Sequence, residues 1–361
     1  FKSAYFKHSN PNFAFISLTH KMLQNGLTIL LLISVVIGHS LAKLGPTIKH
    51  NPHFKTVQTA HHLHDAIAKK HEAEVTQVIC SISNEQRQAL ALEFKKQFGT
   101  DLIAMLKKEF KSDFEELIIS LMQTPAVYDA NQMRAALSGS NEAVLIEILA
   151  TRTNRQITAL KQAYEQLDRR HQHNQLEEDI KAKTKGPFQN LLVSLLSCSR
   201  EESAPASIVL AHDEAMKLFR EGEGRRGVNA VVFNQVLATR SFAQLRETFE
   251  FYRQAAHHEI EEGIKQEFSG HNETGFLALI KYVRNASVFF ADLLFNSMKG
   301  LGTRDSDLIR LVISRSEIDL ADIKHAFHTL HKKSLEEAIK GDTSGAYRDA
   351  LLALVKGNTE Q

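Results

Sequence analysis

The stretch MKGLGTRDSDLIRLVISRSEIDL, residues 298–320, interrupts a helix-rich part of the chain with two glycines and a threonine. Gly300 and Gly302 tolerate backbone dihedrals that other residues avoid. Thr303 stands where the next helix begins, and threonine is a common N-cap residue. The stretch therefore predicts two helices joined by a loop that can expose its main-chain carbonyl oxygens.

Helical periodicity continues through the rest of this unit. Ile323, Phe327 and Leu330 form one apolar face at helical spacing. Ser334 with Glu337 has the spacing of a capping box at the start of another helix. The alternation typical of strands is absent from the unit. We therefore predict an all-α unit of five helices joined by short loops.

Copies of this unit precede it in the chain. The segments VICSISNEQ (78–86), ILATRTNRQ (148–156) and VLATRSFAQ (236–244) resemble VISRSEIDL (312–320), and each ends an apolar helical run. Four units of about 70 residues indicate a repeat protein. The segment REESAPAS (200–207) is the predicted linker, which divides the four units into a first and a second pair.

The composition limits the classes of function. The 361 residues include 44 basic and 42 acidic side chains, a net charge of +2. This balance gives no extended field for nucleic acid, so no nucleic-acid partner is predicted. Nucleophile-elbow, zinc-protease, Walker and EF-hand motifs do not occur in the sequence, and we predict that the protein is not an enzyme.

An acidic residue completes the glycine loop. Thirty-eight residues separate Thr303 from Asp342, which lies between the fourth and fifth helices of its unit. If the two joints meet, loop carbonyls and a carboxylate come together, and such hard oxygens suit Ca²⁺. The alternative is that Gly300 and Gly302 only form a tight turn between helices.

The pattern G-x-G-T, then 38 residues, then an acidic residue, set inside four five-helix units, resembles the annexin family over residues 54–357. The resemblance implies an all-α fold of four repeats of five helices that form a curved disc. It implies Ca²⁺ as the cofactor and an acidic phospholipid membrane as the partner. The implied calcium ligands of the fourth repeat are the carbonyls of Met298, Gly300 and Gly302 and the carboxylate of Asp342.

The third repeat has a variant loop, GEGRRG (222–227), in which Val228 replaces the usual threonine. The same resemblance implies three carbonyls and one carboxylate as its calcium ligands, from Gly222, Arg225, Gly227 and Glu267. The loop tips supply the predicted lipid-facing residues, Leu301, Arg225 and Arg226. The alternative for the two arginines is solvated surface charge.

The first two repeats depart from the pattern. AIAKKHEAEV (66–75) has a shorter loop without glycine, although Glu109 stands at the acidic position. ALSGSNEAVL (136–145) is also shortened, and Lys183 takes the place of its acid. Since a lysine repels calcium, we predict that calcium binding is confined to the third and fourth repeats.

Four polar residues match positions that line the central channel of annexins. They are Asp129, Glu147, Arg152 and Arg310. Buried charges normally pair, so the preferred interpretation is that they form salt bridges that fix the repeats against each other. Ion conduction is the alternative.

The apolar segment LTILLLISVVIG, residues 27–38, resembles the hydrophobic region of a secretory signal peptide within residues 1–42. We predict cleavage after Ala42 and secretion, and a buried core helix is the alternative. A secreted annexin resembles the annexin-like proteins of plant-parasitic nematodes. The competing function is a secreted helical interaction protein that binds a protein partner, with calcium incidental.

The predicted domain boundaries follow from these segments. They are an N-terminal extension at 1–42, a tail at 43–53, repeat I at 54–124, repeat II at 125–199, a linker at 200–208, repeat III at 209–284 and repeat IV at 285–357.

Overall fold

Twenty α-helices and no β-strand occur in the part of the chain that this computed structural model describes, residues 43–167, 175–224, 227–300 and 302–358. The chain divides into two units, Phe1–Leu44 and Gly45–Gln361, and all twenty helices belong to the second. The predicted signal peptide lies outside the described residues.

Each repeat contains five helices, so the predicted all-α repeat architecture is confirmed. Repeat I contains α1 Thr56–Ala68, α2 Glu72–Ile79, α3 Asn84–Phe98, α4 Leu102–Glu109 and α5 Ser112–Met122. Repeat II contains α6 Pro125–Gly139, α7 Glu142–Thr151, α8 Asn154–Leu167, α9 Gln175–Lys183 and α10 Gly186–Leu196. Repeat III contains α11 Ile208–Glu221, α12 Ala230–Thr239, α13 Phe242–Ala256, α14 Ile260–Glu267 and α15 Gly270–Arg284. Repeat IV contains α16 Ala286–Ser297, α17 Asp305–Ser316, α18 Leu320–His331, α19 Leu335–Asp342 and α20 Gly345–Lys356.

Local sequence signals set where the helices of repeat IV begin. The Ser334 hydroxyl accepts a hydrogen bond from the Glu337 amide, and the Glu337 carboxylate accepts one from the Ser334 amide, which is the predicted capping box of α19. At α17 the N-cap residue is Arg304, and no side chain caps the helix. The prediction that Thr303 caps α17 is therefore wrong.

Two hydrophobic cores organise the repeats. The first unites repeats I and IV and includes Phe94, Leu117 and Phe327. The second unites repeats II and III. The predicted linker at 200–207 lies between α10 and α11, both of which contribute to the second core, so it does not separate the two cores. The repeats pair according to which apolar helix faces bury each other, and not according to their order along the chain.

The tail before α1 ties repeat I to repeat IV. The amides of Thr47 and Ile48 both donate to the carbonyl of Ser316, each at 2.9 Å. The Thr47 hydroxyl donates to the carbonyl of Leu354 at 2.7 Å. The Gly45 amide donates to Oδ2 of Asp322 at 2.8 Å. These bonds fix the two ends of the described chain to the same core.

Candidate calcium-binding site

The loop of repeat IV joins α16 to α17 and contains both glycines of the predicted site. Gly300 has φ of +113° and Gly302 has φ of +87°, which L side chains rarely adopt. A Cβ at either position would meet nothing within 4 Å, so conformation rather than crowding requires glycine. The Arg304 amide donates to the carbonyl of Ser297 at 2.8 Å and closes the loop. Leu301 lies outside the described residues.

Thr303 connects this loop to the predicted acidic ligand. Its hydroxyl oxygen lies 2.6 Å from Oδ2 and 3.0 Å from the main-chain oxygen of Asp342. Asp342 is the last residue of α19. Two joints that are far apart in the sequence therefore meet, and a carboxylate is held beside the glycines. This role of Thr303 is not apparent from the sequence, where its position suggests a helix cap.

The loop offers a set of hard oxygen donors. Among the described residues, none donates a hydrogen bond to the main-chain oxygens of Met298, Gly300 or Gly302. Asp342 is half-buried beside them. Ca²⁺ prefers carbonyl and carboxylate oxygens as ligands. In this loop the Thr303 hydroxyl is the hydrogen-bond donor that contacts the Asp342 carboxylate. The residues present therefore fit the ion that the sequence predicts.

Negative charge is concentrated around this loop. Burial, and then the nearby carboxylates of Asp113 and Asp342, raise the pKa of Asp305 above its ordinary value. Asp305 begins α17 and Asp113 lies in the first turn of α5 of repeat I. A cation bound here would favour the ionised form of Asp305.

Thr303→Val is expected to weaken calcium binding at repeat IV about tenfold, because outer partners that orient a metal ligand contribute roughly 10- to 100-fold to affinity. Calorimetric calcium titration measures this change. Thr329→Val is the matched control, since the Thr329 hydroxyl donates only to His325 within α18. An unchanged affinity in Thr303→Val would show that the hydrogen bond does not orient Asp342.

The loop of repeat III joins α11 to α12 and closes differently. The Asn229 amide donates to the carbonyl of Glu221 at 2.8 Å, and the Asn229 side chain donates to the Glu221 carboxylate at 2.9 Å. Gly222 is the C-cap residue of α11. Gly227 has φ of +84°, in the region that favours glycine. Two residues of this loop lie outside the description, Arg225 and Arg226.

The acidic position of repeat III is also at the end of a helix. Glu267 is the last residue of α14, as Asp342 is of α19. Val228 has no hydroxyl, so the bond that Thr303 makes to its acid has no counterpart in repeat III. The loop and the acid of repeat III are therefore held together less directly.

A half-buried carboxylate within the repeat III loop, that of Glu223, contacts α13 and the joint that follows it. Glu223 accepts a hydrogen bond from the Tyr252 hydroxyl, and its Oε2 lies 2.8 Å from Nε2 of His258. A Cβ at Gly263 would lie 2.4 Å from Oε1 of Glu223, so the carboxylate occupies space that a larger residue at 263 would take. This cluster was not predicted from the sequence. Tyr252 and His258 lie 29 and 35 residues after Glu223 and share no local pattern with it.

His258 gives this cluster a pH dependence. The hydrogen bond to the Glu259 carbonyl, and then the hydrogen bond and charge of Glu223, raise the pKa of His258 above its ordinary value of 6.5. A raised pKa in the folded state stabilises the protein below pH 6.5, and this stabilisation is lost as pH rises through the folded-state pKa.

His258→Gln is therefore expected to lower the melting temperature at acidic pH and to change it little at alkaline pH. Thermal unfolding in a chelator, followed from acidic to alkaline pH, measures the difference from the unmodified protein. His53→Gln, at an exposed position in the tail, is the control. A destabilisation that is the same at every pH would contradict the charge interaction.

Lysines lie at the corresponding positions of repeats I and II. Nζ of Lys70 lies 3.4 Å from Oε2 of Glu109, and Nζ of Lys108 lies 3.4 Å from Oε1 of the same carboxylate. In repeat II the exposed Lys183 is the last residue of α9, where the other repeats carry an acid. The acidic residue of repeat I, Glu109, is thus already paired with two lysines. Repeat II has no acidic residue at this position to offer calcium.

The four polar residues predicted near the centre form two ion pairs. Arg152 donates to Asp129 through Nε and Nη2, at 2.8 and 2.9 Å. Nη2 of Arg310 donates to Oε2 of Glu147 at 2.8 Å. Asp129 and Arg152 line a cavity of about 590 Å³. The second pair joins α17 of repeat IV to α7 of repeat II, and so connects the two cores.

Comparison with known proteins agrees with this architecture. The sequence model of the annexin family matches residues 58–121, 128–195, 213–279 and 289–354. Annexin A7 of Homo sapiens is 43% identical over 286 residues, which are 79% of this chain and 58% of that protein. The solved structure of annexin III has a TM-score of 0.83 and 37% identity, over 86% of this chain and 97% of that one. The structure of calcium-bound annexin (Sm)1 has a TM-score of 0.77 and 29% identity, over 86% and 92%.

The chain therefore belongs to the annexin family. Annexins are known for calcium-dependent binding to phospholipid. None of the described helices is long and apolar enough to cross a bilayer. Within the described ranges, no group of three or more His, Cys, Asp or Glu side chains is arranged to hold a metal ion. The predicted calcium site is of another kind, since most of its ligands are main-chain oxygens.

Proposed function

We propose that this protein binds acidic phospholipid membranes peripherally and reversibly, in a calcium-dependent manner, through the loops of repeats III and IV. The observation that carries the proposal is the hydrogen bond between Thr303 and Asp342. It holds a carboxylate beside a loop whose three carbonyls receive no hydrogen bond from a described residue.

The donor set explains why calcium suits this loop. Carbonyls of Met298, Gly300 and Gly302 and both oxygens of Asp342 amount to five of the six to eight oxygens that Ca²⁺ takes. Bound calcium would keep a positive charge and open coordination positions for the phosphate of a lipid headgroup. The protein supplies only one carboxylate, so its residues do not neutralise the ion.

The calcium-dependent surface is proposed to be confined to repeats III and IV. Repeat III offers Glu267 and the loop carbonyls, although Val228 cannot orient the acid. In repeat I, Glu109 already pairs with Lys70 and Lys108. In repeat II, Lys183 replaces the acid. We propose that Leu301, Arg225 and Arg226 face the lipid.

We further propose that the protein is secreted after cleavage behind Ala42, like the annexin-like proteins of plant-parasitic nematodes that it resembles. The apolar segment at 27–38 supports this proposal. Expression in a secreting host and N-terminal sequencing of the protein in the medium provide the test. A mature protein that begins at Lys43 is expected, whereas retention of 27–38 in the exported or cellular protein would overturn it.

Sedimentation with vesicles tests the membrane function. Vesicles of phosphatidylserine with phosphatidylcholine are expected to retain more of the protein in calcium than in a chelator, and the difference is expected to disappear with phosphatidylcholine alone. If calcium does not change binding to either kind of vesicle, the membrane function is wrong. The competing function then remains, that of a helical interaction protein that binds a protein partner and for which calcium is incidental.

A further inference from the structure

In repeat I, a lysine side chain connects the loop to the acidic residue at the end of the fourth helix. In repeat IV, the loop contacts the corresponding acidic residue directly. In repeat IV, the loop after α16 contacts Asp342 at the end of α19. In repeat I, Lys70 follows α1 and its Nζ lies 3.4 Å from the carboxylate of Glu109 at the end of α4. Lys70 has φ of +57°, an uncommon value for a residue other than glycine. The same two joints are therefore connected by a cation that belongs to the chain.

Further lysines at or near these joints in repeats I and II have no anionic partner among the described residues. They are exposed, and no ion pair or side-chain hydrogen bond joins them to a described residue: Lys69, Lys107, Lys183 and Lys185. Several neighbouring carboxylates are already paired, since Glu109 has Lys70 and Lys108, and Glu177 has Lys181 at 2.7 Å. The positive charge of the four lysines is therefore available to an external anion.

The four lysines lie near the predicted calcium-binding loops of repeats III and IV. On one side, the hydroxyl of Ser306, just after the repeat IV loop, donates to Oε1 of Glu116 in α5 of repeat I at 3.2 Å. Lys107 lies in the last turn of α4, and the α4–α5 joint that follows it leads directly into that helix. The loops of repeats I and IV therefore share one face of the protein.

Repeats II and III have the same relation. Oδ1 of Asn272, at the start of α15, accepts a hydrogen bond from the Phe188 amide at 2.8 Å. Phe188 lies in the first turn of α10, just after Lys183 and Lys185. Nε2 of His271 lies 3.7 Å from Glu142, at the start of α7. The lysines of repeat II thus lie beside the joint that follows Glu267.

We propose that repeats I and II bind the same anionic phospholipid surface through Lys69, Lys107, Lys183 and Lys185, without calcium. The inference rests on the proposed function, because it takes the calcium loops to face that membrane. Ammonium groups bind phosphate and carboxylate headgroups as point charges, and several of them near a surface act together. Repeats III and IV would then add calcium-dependent binding to a weaker, salt-sensitive attachment by repeats I and II.

The test compares two sets of four substitutions in the full chain. The test variant changes Lys69, Lys107, Lys183 and Lys185 to Gln. The control variant changes to Gln four other exposed lysines that form no ion pair with a described residue: Lys49, Lys55, Lys95 and Lys356. Lys55 precedes α1 and Lys356 ends α20, so these two lie at the helix ends opposite to the loops.

Binding is measured in a chelator, at low and at high salt, with vesicles of phosphatidylserine and phosphatidylcholine. Each lysine near an anionic surface contributes roughly fivefold, so the test variant is expected to lose affinity on the order of a hundredfold or more. The control variant is expected to bind like the unmodified protein. High salt is expected to release the unmodified protein. Matching circular dichroism and melting curves show that both variants are folded.

Two results would overturn the inference. One is that the unmodified protein does not bind these vesicles in a chelator at low salt. The other is that the test variant binds as well as the control variant. Failure of the calcium site is distinguishable, because Glu267→Ala with Asp342→Ala leaves binding in the chelator unchanged if the lysines act independently of calcium.

Discussion

Replacement of Glu267 and Asp342 together by Ala is expected to abolish the calcium-dependent part of vesicle binding. Each substitution removes the carboxylate that is proposed to bind calcium directly, so the loss in calcium affinity is expected to exceed the roughly 100-fold that an outer partner can contribute. Sedimentation with phosphatidylserine vesicles across a calcium titration measures the effect. The calcium needed for half-maximal binding should move beyond the range of the titration.

Glu109→Ala provides the matched control for this experiment. Glu109 occupies the same helix-end position in repeat I, but its carboxylate is paired with Lys70 and Lys108. Its removal is expected to leave the calcium dependence unchanged. The site assignment would be wrong if the double variant kept the calcium dependence of the unmodified protein, or if Glu109→Ala abolished it.

The two single variants are expected to differ. Thr303 orients Asp342, whereas Val228 cannot orient Glu267. Repeat IV should therefore bind calcium more tightly than repeat III. Asp342→Ala alone is expected to raise the calcium concentration needed for binding more than Glu267→Ala alone. The reverse order would show that the Thr303 hydroxyl does not determine which repeat binds calcium more tightly.

Glu147→Gln is expected to destabilise the protein by about 3 kcal/mol, because it leaves the guanidinium of Arg310 buried without its main partner. Both side chains are at most 5% exposed. Burial lowers the pKa of Arg310, but the charges of Glu147 and Asp307 more than offset it, and the pKa lies above its ordinary value. Unfolding in urea, followed by circular dichroism, measures the change in the free energy of unfolding.

A second variant separates charge from volume at this pair. Glu147→Leu with Arg310→Leu removes both charges, and such replacements of a buried pair are often nearly neutral. The double variant is expected to recover most of the stability that Glu147→Gln loses. Equal losses in the two variants would contradict the charge explanation. We propose that this pair fixes the two cores against each other rather than serving ion conduction.

The helical repeats were predictable because their signals are local. Apolar residues at helical spacing, such as Ile323 and Phe327, and the capping box of Ser334 and Glu337 each depend on residues a few positions apart. The glycine loop and its acid were predictable from their fixed spacing and from the resemblance to annexins. The structure then brings Thr303 and Asp342 within 2.6 Å.

The features that sequence analysis missed depend on packing between distant segments. The pairing of repeat I with repeat IV follows from which apolar faces bury each other, and the linker at 200–207 does not encode it. Glu223 comes from the α11–α12 loop, whereas Tyr252 and His258 come from the end of α13 and the joint after it. In the sequence, Glu223 looks like a surface residue of the loop. Its contact with the space beside Gly263 is apparent only in the structure.

A crystal structure determined in calcium tests the central claim most directly. The account predicts an ion in the loop of repeat IV, contacted by the carbonyls of Met298, Gly300 and Gly302 and by Asp342, and a second ion in repeat III contacted by Glu267. It predicts none at Glu109 or Lys183. Ions bound elsewhere, or both carboxylates turned away from loops that remain empty, would contradict it.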